Sequence, residues 1–134
     1  MTGLAWWMRI VGGLYVFLFF AATVLRLPIR AEGPKGLLDR AAAGDPTSRF
    51  VVDVWFMLGL YFLVIGASLL IASRAPSQAT DLVWMVVGFE VAGIAVDVYK
   101  LSRGYDRKAP VAWLVIHSVI IGTALFLLGG AFAA

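Results

Sequence analysis

Four long apolar runs, at about residues 4–27, 50–73, 82–99 and 111–132, constrain this chain more than anything else in it. Each is apolar on all sides, which disfavours a spanning β-barrel, whose strands alternate polarity over about ten residues. An apolar helix needs roughly 20 residues to cross about 30 Å of hydrocarbon; three runs reach that length and the third lies at the short end. Within lipid, backbone N–H and C=O groups must be satisfied inside the segment, so each run is expected to be a helix. With 62% hydrophobic and 14% charged residues in 134, the chain has more apolar surface than a water-soluble fold could hide, since a domain of about 150 residues buries only about 70% of its unfolded area. The expected class is an all-α membrane protein, a four-transmembrane-helix bundle forming one domain over residues 1–134.

The stretches between the runs carry boundary chemistry. Pro28 and Pro76 follow the first and second runs, where neither interrupts a helix. Asp45-Pro46 suits the opening of the second helix, and Asp106 to Pro110 that of the fourth. Residues 34–43 predict a short surface helix with Leu37 and Leu38 dipping into the interface. The first run, with Arg9 ahead of it, has some features of a secretory signal. Its uncharged stretch 10–25 exceeds the roughly 7–15 residues of a signal core, so it is read as a retained span.

Nine of the eleven basic residues fall beside two loops: Arg26, Arg30, Lys35, Arg40 and Arg49 around the first, and Lys100, Arg103, Arg107 and Lys108 around the third. Lys and Arg are enriched in short cytoplasmic loops, which predicts both termini outside and the two basic loops in the cytoplasm. The net charge of +3 is split between membrane-flanking loops instead of gathering on one basic face, so no nucleic-acid partner is expected. The chain has no cysteine, which removes disulfides, thiolate chemistry and Cys-ligated metals, and a single His bars a bis-His haem within one chain. No cofactor and no metal site is expected. The glycines inside the runs read as points of close helix approach.

Four ionisable residues lie within the runs: Asp53, Glu90, Asp97 and His117. A charge at the bilayer centre costs at least about 2.5–3.5 kcal/mol, so such groups normally face the protein interior and are paired, protonated or functional. Glu90, Gly93, Ile94 and Asp97 follow an i, i+3, i+4, i+7 stripe, which puts both carboxyls on one helix face two turns apart. From the predicted orientation, Asp53 and Asp97 lie near the cytoplasmic ends, His117 about 9 Å in, and Glu90 deepest at roughly 13 Å. If the second, third and fourth helices enclose one cavity, Glu90, Asp97 and His117 would be its acid and base groups, and Asp53, Trp55, Tyr61, Trp84 and Trp113 would line it as ligand-binding residues. Plainer readings stand beside this one: Asp53 and Asp97 pairing with Arg49 or Lys100, His117 bonding a neighbouring helix, and the aromatic residues forming an interfacial belt.

The chain resembles the BphX-like family of small bacterial and archaeal membrane proteins. The resemblance rests on Trp6-Trp7-Met8-Arg9-Ile10-Val11-Gly12-Gly13-Leu14-Tyr15, Ala43-Gly44-Asp45-Pro46, Val52-Asp53-Val54-Trp55 and Ala72-Ser73-Arg74-Ala75-Pro76, then on Leu82-Val83-Trp84, Glu90-Val91, Asp97-Val98-Tyr99, Arg103-Gly104-Tyr105 and Ile116-His117. It implies a four-helix membrane fold, more loosely like the DoxX-like proteins associated with quinone and redox complexes, and implies no settled activity. Val91-Ala92-Gly93 stands after Glu90 where a basic neighbour would be expected, so the resemblance supplies no charge partner for Glu90.

Three function classes follow. The first is binding of a small hydrophobic molecule that enters from the lipid, with acid–base chemistry of an isomerase or cyclase kind as an open extension. The second is an accessory subunit of a larger redox or transport complex, and the third a proton-coupled carrier. The expected partners are accordingly the bilayer, a lipid-soluble small molecule, and either further copies of the chain or a larger membrane complex. The orientation has a direct test: a reporter active only outside the cytoplasm is expected to work when fused at Ala134, and activity there of a strictly cytoplasmic reporter would reverse the topology.

Overall fold

The computed structural model describes residues 3–27, 30, 36–105 and 107–132. Five α-helices follow in order: α1 (Gly3–Phe19), the short α2 (Leu37–Ala42), α3 (Pro46–Ala72), α4 (Thr80–Ser102) and α5 (Lys108–Phe132). No strand occurs among the described residues. Four segments, Gly3–Val24, Pro46–Ala72, Thr80–Ser102 and Lys108–Gly129, are long and apolar enough to cross a membrane. The chain is therefore all-α and of the multi-pass membrane type.

The helix ends differ from the hydropathy boundaries for identifiable reasons. α3 starts four residues earlier than its apolar run because Asp45 caps it: its Oδ2 accepts a 2.8 Å hydrogen bond from the Ser48 amide, and Pro46 fits the first helical position. The Ser48 bonds hold the Asp45 carboxyl below its ordinary range. α4 continues beyond its apolar core at both ends, with Asp81 in the first turn and Lys100 in the last, charges that complement the helix dipole. α5 opens at Lys108, so that Pro110 falls in the first turn, where its missing N–H is tolerated. Asp106, expected to help open that helix, lies outside the described residues, as do Pro28 and residues 31–35. The short helix expected over 34–43 is α2, and it buries Leu37.

The first span ends differently from expectation. After Phe19 the helix widens into a π-helical turn, Phe20–Val24, closed by the Leu25 amide on the Phe20 carbonyl at 2.9 Å. Arg26 then turns the chain at φ +54, a left-handed conformation that a non-glycine residue adopts at a cost. No periodicity in an apolar run reveals such a bulge.

The chain divides into two compact units, Val11–Leu70 and the combination of Met1–Ile10 with Ile71–Ala134. In the first, α1 and α3 meet through glycine. A Cβ on Gly12 would lie 2.9 Å from the Gly66 carbonyl oxygen, and one on Gly66 would lie 2.7 Å from that of Gly12. Tyr15, Leu69 and Gly59 are buried in this unit, and the Tyr15 and Phe62 rings pack at 5.6 Å. In the second, α4 and α5 lie side by side. The start of α1 reaches the far end of α5, where the Trp7 indole donates to Thr123 Oγ1 at 3.0 Å and Gly3 approaches Leu127. Arg9 donates to Ser73 Oγ at 3.2 Å at the α3–α4 turn. Met8, Val83, Val86, Ala124 and Leu128 form its apolar core.

Helices in lipid gain little from the hydrophobic effect and associate through close packing, so the glycine contact carries much of the α1–α3 pairing. Gly66→Val is expected to lower stability by about 1–3 kcal/mol, the usual range for overpacking. Gly88→Ala, whose new Cβ meets nothing within 4 Å, should be neutral or gain slightly from helix propensity. Thermal unfolding in mild detergent compares the two, and equal losses would refute the packing role.

Candidate functional site

The site is built by two neighbouring helices of one unit. On α4, seven residues separate Glu90 from Asp97, close to two full turns, so both carboxyls project from the same face about 10 Å apart along the axis. Gly93 lies between them on that face. Opposite it, α5 presents His117, and a Cβ on Gly93 would fall 2.7 Å from its Nε2. The glycine leaves the berth that the ring occupies, and a side chain there would force the ring to shift.

With the ring in that berth, its two nitrogens face one carboxyl each. His117 Nδ1 contacts Glu90 Oε2 in a hydrogen-bonded pair, and Nε2 lies 3.5 Å from Asp97 Oδ2. Asp97 Oδ1 in turn lies 3.6 Å from Lys100 Nζ, one turn on along α4. The four side chains thus form a file from the exposed rim inward. Lys100 is 43% exposed, Asp97 4%, His117 15% and Glu90 2%. An imidazolium between two carboxylates, with an ammonium on the second, sums to zero charge. Such a file can hold a proton on the imidazole without a net charge in hydrocarbon.

The two ends of the ring are not held alike. Glu90 is in firm contact, whereas Asp97 Oδ2 is a buried oxygen with no hydrogen-bond partner among the described residues. Asp97 thus keeps an acceptor site in reserve beside the imidazole. The Trp113 ring lies over His117, with centroids 5.9 Å apart and planes inclined by 31°. Together these contacts make an acid–imidazole–acid constellation with one aromatic wall.

Of the other residues expected to line a site, Trp84 lies exposed on α4. Asp53, Trp55 and Tyr61 belong to the Val11–Leu70 unit. There Asp53 and Trp55 line a small cleft with Arg26, and Tyr61 is exposed. The pairing of Asp97 with Lys100 weighed from sequence is present. Arg49, weighed as a partner for Asp53, instead directs its Nε to the Ala41 carbonyl at 3.1 Å. Gly93, one of the glycines that the sequence reads as a packing position, admits the His117 ring, and its place midway between two carboxyls on one helix face is the signal for it in the sequence. Among the described residues no group of His, Asp and Glu is arranged to hold a metal ion.

A membrane-spanning helical protein with titratable groups stacked between two of its spans is the class these features define. The BphX-like family model matches residues 1–132, nearly the whole chain, and the protein belongs to that family. No curated protein and no solved structure matches it.

The geometry ranks the site's members by what their loss exposes. Removing one partner of a buried ion pair typically costs about 3–5 kcal/mol, whereas a half-exposed pair is worth about 0–1 kcal/mol. His117→Ala is therefore expected to destabilise the protein far more than Lys100→Ala in detergent unfolding. Similar values for the two would show that the imidazole is not a keystone of the α4–α5 pair.

Proposed function

We propose that the protein binds a small lipid-soluble molecule against the α4–α5 helix pair, with Glu90, His117 and Asp97 as its polar anchor and proton-exchanging group. The observation that carries this reading is the imidazole seated between two buried carboxyls from one neighbouring helix. Helix packing alone calls for one hydrogen bond, not for a His with an acid on each ring nitrogen and a glycine making room for it. Acid and imidazole side chains in contact, differing in burial, are the kind of pair that divides donor and acceptor work.

The file runs inward from the half-exposed Lys100 to the buried Glu90, an arrangement that serves proton exchange with a molecule held within the membrane. A hydrophobic molecule carrying a carbonyl or hydroxyl group, of quinone or isoprenoid kind, is the substrate class that fits. We place the protein in the inner membrane of a bacterium, with the basic loops and the Lys100 end of the file on the cytoplasmic side, following the distribution of Lys and Arg.

Purification of the full chain from its host in mild detergent, followed by mass spectrometry of the organic extract, tests the reading. A lipid-soluble compound should co-purify with the wild type and be depleted roughly tenfold in Glu90→Gln, the loss expected for one strong hydrogen bond to a charged group. Equal retention by the variant would remove Glu90 from the site. Recovery only as a stoichiometric member of a larger assembly, with no such compound, would make the protein an accessory subunit instead.

A further inference from the structure

A second constellation lies in the Val11–Leu70 unit and takes no part in the relay. Thr23, Arg26, Val52, Asp53, Trp55 and Phe56 line a cleft of about 120 Å³. It has room for a small charged group.

Three features make this cleft more than a surface dent. Asp53 and Arg26 both border it, yet no ion pair joins them among the described residues. Two opposite charges that share a cleft at the edge of an apolar span and do not close on each other leave room for something between them. Thr23 Oγ1 is buried and has no hydrogen-bond partner among the described residues. It sits hard against Gly59, the position where a side chain would displace it. Finally, the backbone here is irregular: the π-helical turn Phe20–Val24 carries Thr23, and Arg26 follows with φ +54. π-Helical turns within helices occur frequently at functional sites.

We propose that this cleft binds the headgroup of an aminophospholipid, a phosphodiester bearing a primary ammonium. Arg26 takes the phosphate oxygens, a pairing to which the guanidinium fork is matched. Asp53 accepts from the ammonium, and the Trp55 ring beside it adds attraction for a cation. The acyl chains have a continuous track: Asp53, Phe56, Met57, Leu60 and Val64 share one face of α3, and the four apolar members are all exposed. That stripe extends about 16 Å along the helix from the carboxylate. A soluble zwitterion would make no use of it.

The position of the cleft agrees with this occupant. Arg26 closes the first apolar run and Asp53 lies in the second turn of the next span, so both stand where hydrocarbon gives way to headgroups. The inference is independent of the α4–α5 relay and of which side of the membrane the loops face.

Native mass spectrometry of the full-length protein, delipidated and then mixed with phosphatidylethanolamine, phosphatidylcholine or phosphatidylglycerol of identical acyl chains, tests it. Phosphatidylcholine keeps the phosphate and the positive charge but has no N–H to donate, and phosphatidylglycerol has no ammonium. Phosphatidylethanolamine should bind about tenfold more tightly than either, the scale of one charge-assisted hydrogen bond. Asp53→Asn should abolish that preference, and Arg26→Gln should weaken all three lipids. Asp53 is exposed and has no partner to lose among the described residues, so its variant should fold. Equal affinity for the three lipids, stronger binding of phosphatidylglycerol, or an unchanged preference in Asp53→Asn would each overturn the proposal. Displacement of the lipid by soluble phosphoethanolamine at comparable concentration would overturn the lipid as occupant.

Discussion

Polar groups in hydrocarbon must find partners inside the protein, and the contact of His117 with Glu90 and Asp97 is how α4 and α5 meet that demand. Each of these groups alone would carry a cost of several kcal/mol at depth. Together, with Lys100 at the rim, they can be charged without a net charge and can exchange protons without leaving the protein. The same contact fixes the register of the two helices, because the ring must stand level with Gly93 to reach a carboxyl on either side. The pairing of the two helices therefore rests on one side chain here.

Glycine serves two distinct ends in this chain. At Gly12 and Gly66 it lets backbone meet backbone, each lying against the other's carbonyl. At Gly93 it opens a berth for an imidazole that comes from another helix. Gly13, Gly88 and Gly122, by contrast, face no atom within 4 Å of a new Cβ. Counting glycines in apolar segments cannot separate these cases, since a helix face becomes a contact only when a second helix covers it.

The two charged constellations differ in how they treat their charges. In the α4–α5 file, opposite charges are matched and largely withdrawn from the surface. In the cleft beside α3, no ion pair among the described residues joins Asp53 to Arg26, and a buried hydroxyl lies next to them. The first arrangement suits internal proton exchange, and the second suits an external charged group.

From the residues alone, the four spans, the Asp45-Pro46 helix start, the short helix around Leu37 and the shared face of Glu90 and Asp97 were all determined. They follow from hydropathy, capping chemistry and the 3.6-residue turn, which act within a single segment. The order of His117 between its two acids, the berth at Gly93, the π-helical turn before Arg26 and the cleft that Asp53 shares with Arg26 were decided only by the tertiary structure. Each depends on which face of one helix meets which face of another, or on where a chain end must turn. An apolar run is nearly uniform around its circumference, so its pattern does not say which side its neighbour covers.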